Sequence, residues 1–131
     1  MRRVFSWPVR VYYEDTDSGG VVYYANYLKF FERARTEWLR SFGLNQDKLA
    51  QEEDLIFVVR RATLDFVRPA RLDDMLEVTV EPVKVARVYI ELAQEARCGA
   101  QDLARAEIRV ACLNRQSFKP VAIPQDLRAV L

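Results

Sequence analysis

At 131 residues the chain suits one domain, residues 1–131, large enough to bury a core and too short for two ordinary ones. Half the residues are hydrophobic, with 4 Gly and 5 Pro, a composition that excludes disordered and low-complexity classes. The formal charge of +1 gives no net pull toward nucleic acid or an anionic membrane. One absence narrows the chemistry further, because the chain has no histidine. A Ser-His-Asp triad, a Cys-His dyad and a histidine-ligated metal site are impossible within one chain. Any catalysis must come from carboxylates, backbone amides, Tyr, Lys or Arg.

The N-terminus, M-R-R-V-F-S-W-P-V-R, is basic but has no apolar run of signal-peptide length. No window approaches the roughly 18 consecutive apolar residues of a membrane span. Val4 to Tyr13 holds a short β-like alternation, V-R-V-Y-Y, with Pro8 marking an edge or a strand start. The run E-D-T-D-S-G-G, Glu14 to Gly20, is a turn by composition. A long amphipathic helix follows. At 100° per residue Tyr23, Tyr27, Phe31, Ala34, Trp38 and Phe42 form one stripe flanked by Leu28 and Leu39, with Lys29, Glu32, Arg33, Thr36 and Arg40 opposite. Its start lies either at Asn26, as N-cap, or near Val22 with Ser18 and the glycines leading in. Gly43 is a natural stop.

Asn45 to Glu53 reads as a short helical piece or a loop. Leu55 to Val67 is long and β-rich, ended by Arg68-Pro69. Met75 to Glu81 alternates, Val83 to Ala96 places Val88, Ile90 and Leu92 on one face, and a turn at Cys98 to Asp102 leads into the clean alternation of Leu103 to Leu113. Pro120 and Pro124 mark an irregular tail. Cys98 in a turn and Cys112 in the alternating run read as reduced thiols of a cytoplasmic protein, with a Cys98–Cys112 bridge as the alternative. Short connections between strands favour antiparallel neighbours, so the fold class is α+β. One helix on a five-stranded sheet leaves the outer face and edges poorly covered, and homo-oligomerisation is the expected remedy.

Asp15 and Asp17 stand just before Gly19-Gly20 and the helix start, where free N–H groups and a partial positive charge converge. A calcium loop fails as an explanation, because its twelfth position would be Asn26 in place of a bidentate Glu. Two readings remain from the residues alone: a turn whose acids cap a helix, or a carboxylate beside donors in an aromatic-lined site walled by Tyr12, Tyr13, Tyr23, Tyr24 and Tyr27.

The sequence V-x-Y-x-D-T-D-x-x-G-V-V-Y-x-A-N-Y-L-x-F-F-E-R-A-R-T-E-W-L resembles the hotdog-fold acyl-CoA thioesterases of the 4-hydroxybenzoyl-CoA thioesterase type, nearest to the subgroup associated with the bacterial Tol-Pal system. The resemblance continues through F57-V58-V59-R60-R61 and P69-A70-R71-L72-D73-D74-M75-L76-E77-V78 to the strands near Val110. It implies a hotdog fold, a five-stranded antiparallel sheet wrapped around one long helix. It also implies acyl-CoA hydrolysis to free acid and coenzyme A without metal or cofactor, in a dimer or tetramer with sites between subunits. Asp17 matches the family's catalytic aspartate, as nucleophile or as base on water, and the backbone amide of Tyr24 would polarise the carbonyl. A thiolate leaves readily, so a carboxylate suffices without histidine. Close relatives usually read V-V-Y-H-A-N-Y, so Tyr24 stands where they carry His.

Asn26 caps the helix or contacts substrate on this reading; Glu32 and Glu37 rank lower as the helical carboxylate that some hotdog thioesterases use, and Glu32, opposite the apolar stripe, reads as a solvated helix face. Arg60, Arg61, Lys84 and Arg87 are candidates for the coenzyme A phosphates, which call for fixed cations. Acyl carrier protein enters as a family-level substrate or partner. A hotdog dehydratase or isomerase is disfavoured by the missing histidine. The non-enzyme reading is a hotdog that binds acyl thioesters or scaffolds lipid-synthesis and envelope proteins without turnover.

Overall fold

The computed structural model describes residues 4–131, so the basic Arg2 and Arg3 of the N-terminal cluster lie outside the described residues. The alternating segments pair into one antiparallel sheet of β1 (Phe5–Arg10), β2 (Leu55–Phe66), β3 (Met75–Val85), β4 (Tyr89–Cys98) and β5 (Gln101–Asn114), ordered β1-β3-β4-β5-β2. The long helix α1 (Asn26–Arg40) lies on its concave face, followed by α2 (Gln46–Glu53), and α3 (Gln125–Val130) closes the chain. This is the α+β arrangement expected of the sequence.

Period-two patterning decides which face is core. Leu76, Val78 and Val80 of β3, Ile90, Leu92 and Ala96 of β4, and Ala104, Ala106, Ile108 and Cys112 of β5 are all buried. They meet Tyr27, Phe30, Phe31, Ala34, Trp38 and Leu39 of α1. Phe30 and Phe31 are neighbours on the helix and both fully buried. A sheet that wraps the helix covers a wider arc than a single stripe, and so Phe30 is core although the stripe read from the sequence omits it. Burying each such ring is worth about 1.5–3 kcal/mol. The stripe fails at its start. Tyr23 precedes the helix and is exposed, and Leu28 is exposed as well.

Two irregularities corrected the strand readings. In β2 the register slips between Val59 and Arg61, so that Val59 pairs with Val110 and Arg61 with Arg109, leaving Arg60 as the extra residue of a bulge. The bulge switches phase. Leu55, Phe57 and Val59 face inward before it, and Ala62, Leu64 and Phe66 after it. The run Val83 to Ala96 is not one strand. β3 continues through a second bulge between Pro82 and Lys84 to Val85, and the Ala86 amide donates to the Tyr89 carbonyl at 2.9 Å to turn the chain. Proline has no N–H for a ladder, which suits it to such an interruption. Cys98 ends β4 rather than standing in the turn, and both thiols are free. In the Asn45 to Glu53 segment the Asn45 side chain accepts from the Lys48 amide at 3.1 Å and starts α2.

Candidate active site

The turn before α1 separates its two acids by position. Asp15 ends a 3-10 turn, Tyr13–Asp15, and is 4% exposed. Its Oδ2 accepts the Tyr12 amide at 2.8 Å, and its carbonyl accepts both the Tyr23 amide at 3.1 Å and the Asn26 side-chain amide at 2.8 Å. Asp15 is a structural peg.

Asp17 sits on the following turn and is exposed. Thr16 and Val22 form an antiparallel bridge that closes the turn, and Val21 bridges Arg71. The Asp17 amide donates to the Val21 carbonyl at 2.9 Å, and the Gly20 amide to the Asp17 carbonyl at 3.1 Å. The Gly19 amide donates to Asp17 Oδ1 at 2.8 Å, an Asx turn that fixes the carboxylate. Gly20 has φ +79°, a conformation that favours glycine. A Cβ at Gly19 would meet Asp17 Oδ1 at 3.2 Å. Both glycines therefore serve the placement of one carboxylate, whose Oδ2 has no hydrogen-bond partner among the described residues.

The helix start supplies the donors. Asn26, Tyr27 and Leu28 donate back to the carbonyls of Tyr23, Tyr24 and Ala25 at 2.8, 3.3 and 3.2 Å. The amides of Tyr24 and Ala25 take no such partner among the described residues, and stand at the positive end of α1. Asn26 is the first helical residue, and its side chain anchors Asp15 instead of capping the helix. The Tyr24 ring, 60% exposed, packs against Tyr23 at 4.7 Å and edge-on to Phe66 at 6.1 Å. A hydrogen bond with Tyr24 raises the Tyr23 phenol above its ordinary pKa. Buried Tyr27 accepts the Ala70 amide on its hydroxyl at 3.1 Å and leans on Phe66 at 5.6 Å, and burial raises its phenol too. Tyr12, Tyr13, Tyr23, Tyr24, Phe66 and Val67 are all exposed, and Tyr23, Tyr24 and Phe66 form one contiguous aromatic surface at the helix start.

The proposed phosphate ligands gather elsewhere. Arg61 pairs with Arg109 on the convex face, where Lys84 lies 5.5 Å and Arg109 4.4 Å from the Tyr89 ring centroid. Arg109 also pairs with Glu91, whose carboxyl it holds below the usual range. A groove of about 280 Å³ runs beside Arg60, Arg61, Tyr89 and Arg109. Arg87 stands apart on the β3–β4 turn, its carbonyl accepting from the Ile123 amide at 2.8 Å. Five strand steps, about 16 Å at 3.3 Å each, separate Arg61 from Phe66, and none of these cations makes a hydrogen bond or ion pair with Asp17 among the described residues.

Sequence reasoning missed Tyr89 and Arg109, which only strand register brings beside Arg61. It also missed Gln94, 1% exposed, whose signal was available as a polar residue in the inward phase of Ile90, Leu92 and Ala96. No group of three or more metal-ligating side chains occurs among the described residues.

Comparison with known proteins agrees with this fold. Residues 11–131 match the thioesterase-like superfamily. The chain is 47% identical over 125 residues to the acyl-CoA thioesterase YbgC of Haemophilus influenzae, covering 95% of this chain and 92% of that protein. It is 39% identical over 131 residues to the protein of the same name from Helicobacter pylori, covering 93% and 96%. A probable thioesterase from Bartonella henselae superposes with TM-score 0.89 at 36% identity, covering 93% of this chain and all of that one. The 1,4-dihydroxy-2-naphthoyl-CoA thioesterase Slr0204 of Synechocystis superposes with TM-score 0.90 at 28% identity, covering 97% and 94%. With a five-stranded antiparallel sheet around one long helix and a family match from Val11 onward, the chain belongs to the thioesterase-like superfamily and is a thioesterase of the hotdog fold.

Proposed function

We propose that the chain hydrolyses acyl-CoA thioesters to a carboxylic acid and coenzyme A, with Asp17 as the catalytic carboxylate. The observation that carries this is the turn geometry: Asp17 is fixed through one oxygen by the Gly19 amide, beside a helix start, and its other oxygen and the Tyr24 and Ala25 amides have no partner among the described residues. Either Asp17 adds to the thioester carbonyl and the resulting anhydride is cleaved by water, or it takes a proton from water as that water adds. In both routes the C–S bond breaks and the thiolate leaves without a strong general acid. The Tyr24 amide, at the positive end of α1, stabilises the charge that develops on the carbonyl oxygen. The departure from His at this position costs little on this reading, because the backbone donor is the working group. The names of the relatives, acyl-CoA thioesterase and 1,4-dihydroxy-2-naphthoyl-CoA thioesterase, support this substrate class.

The site is completed by a second copy of the chain. Asp17 lies open to solvent, while β2 presents a 12-residue edge with no neighbouring strand among the described residues. Pairing two β2 edges antiparallel at full overlap sets Leu55 against Phe66, Phe57 against Leu64 and Val59 against Ala62. Every one of these pairs is inward-facing on both sides, and only the bulge at Arg60 makes that so. Such a dimer gathers Arg60 and Arg61 of both copies at its centre, a concentration of positive charge that the phosphates of coenzyme A would neutralise. Lys84 extends the same surface, and Arg87 is its weakest member. A homotetramer, turnover of acyl carrier protein thioesters, cytoplasmic residence and association with the Tol-Pal system belong to this proposal as its outer layer.

Thiol release across a panel of aliphatic and aromatic acyl-CoAs tests the reading. Turnover of at least one class is expected. A zero rate with every member would overturn it in favour of a hotdog that binds thioesters without cleaving them.

A further inference from the structure

The concave side of the sheet holds a feature that the hydrolytic machinery leaves unexplained. A cavity of about 150 Å³ lies between α1 and the sheet, walled by Trp38, Leu39, Phe57, Val59, Ile90 and Leu92. Arg35 also lines it. The guanidinium is partly buried, burial pulls its pKa below the ordinary value, and the field of Glu32 restores only part of that loss. Its hydrogen-bond partner is neutral: Nη1 donates to Gln94 Oε1 at 3.0 Å. Gln94 has no freedom to do otherwise. Its amide nitrogen donates to the carbonyls of Phe31 at 3.1 Å and Thr79 at 3.2 Å, which obliges its oxygen to face Arg35. No carboxylate lies within ion-pair distance of Arg35 among the described residues; Glu32, exposed on the same wall, accepts instead from the Thr36 hydroxyl. A desolvated cation that feels Glu32 only at a distance and makes no direct ion pair is costly, and this one is held at an open cavity by an amide.

We infer that Arg35 is a specificity-determining residue, and that the cavity takes an acyl tail of about six heavy atoms beyond the thioester carbonyl, ending in a carboxylate. The size follows from the volume, since an apolar cavity of about 150 Å³ accommodates a molecule the size of benzene. The charge follows from the guanidinium, for which a carboxylate supplies the missing partner. The inference rests on the proposed hydrolysis at a site shared by two copies. Arg35 lies eleven positions beyond Tyr24 along the axis of α1, about 16 Å at helical rise, too far for so short an acyl tail to span within one chain. In the β2-paired dimer, Phe66 and the Tyr24 ring packed on it face Leu55 of the other copy. That corner is two strand residues, about 7 Å, from the Phe57 wall of the other copy's cavity. On this reading each cavity serves the carboxylate of its neighbour.

The test compares glutaryl-CoA with 5-methylhexanoyl-CoA, whose acyl tails have the same length and branching and differ in the terminal carboxylate. Wild-type kcat/KM should favour glutaryl-CoA by about tenfold to a hundredfold, the range of a hydrogen bond to a charged group. Arg35→Met should abolish or reverse that preference and Arg35→Lys should keep part of it, with the loss appearing mainly in KM. Equal rates, or a wild-type preference for 5-methylhexanoyl-CoA, would overturn the inference while leaving the hydrolase intact, and need no variant to fold. So would a glutaryl preference that persists in Arg35→Met. Absence of thiol release from both of these and from benzoyl-CoA would overturn the hydrolytic reading itself.

Discussion

Asp15 and Asp17 are two residues apart, carry the same functional group, and should fail in opposite ways. Asp15→Ala removes the acceptor of the Tyr12 amide, a charged hydrogen bond of 2.8 Å made by a side chain that is 4% exposed. Hydrogen bonds to charged groups contribute about 1.5–3 kcal/mol, and the orphaned amide is only partly able to reach water, so the expected loss is about 2 kcal/mol. For a chain of this length that corresponds to a fall in Tm of roughly 7 °C. Asp17→Asn keeps the acceptor for the Gly19 amide, because the Asn oxygen forms the same turn, and its carboxylate faces solvent. Its stability should stay within about 0.5 kcal/mol of wild type. Urea unfolding of both variants at matched protein concentration, followed by fluorescence, measures the two midpoints. Equal losses in the two, or a neutral Asp15→Ala, would refute the assignment of one acid to structure and the other to chemistry.

Three further outcomes follow from the same geometry. Tyr24→Phe should keep kcat/KM within about threefold, since the backbone amide is unchanged, and should return the Tyr23 phenol toward its ordinary pKa in a spectrophotometric titration. Arg61→Gln and Lys84→Gln should raise KM for acyl-CoA while sparing the matching pantetheine thioesters, which lack the nucleotide; an equal effect on both would remove these cations from the binding surface. Burial pushes the Cys112 thiol up to about 11 from an ordinary value of 9.0, so the folded state favours the neutral thiol. That stabilisation is complete below pH 9 and is lost as pH rises toward 11. Wild type should therefore lose more stability than Cys112→Ala across that window, in parallel urea titrations at each pH.

Much of the fold was legible because period-two patterning in Leu103 to Leu113 and Met75 to Glu81 states which residues face inward, and the β5 and β3 side chains do so. The β2 strand was legible only as a long β-rich run. Its alternation breaks at Arg60, and a bulge cannot be placed without the partner strand that reveals the slipped register. Phe30 was missed for a related reason, since the width of the buried arc on a helix depends on how far the sheet wraps it. At the site, the glycines and the two acids were visible, but their division of labour was not. Asp15 is buried because its carbonyl receives Tyr23 and Asn26 from across the turn, contacts of long reach that composition does not encode. The cations Arg61 and Lys84 meet Tyr89 and Arg109 through strand register alone.

The central claim is that the Asp17 carboxylate performs the hydrolysis. The measurement that tests it most directly is kcat for Asp17→Asn on the best acyl-CoA of the panel, with unfolding curves run beside it. A fall of about a thousandfold or more at unchanged stability is the predicted result. Wild-type turnover in a folded Asp17→Asn protein would contradict it.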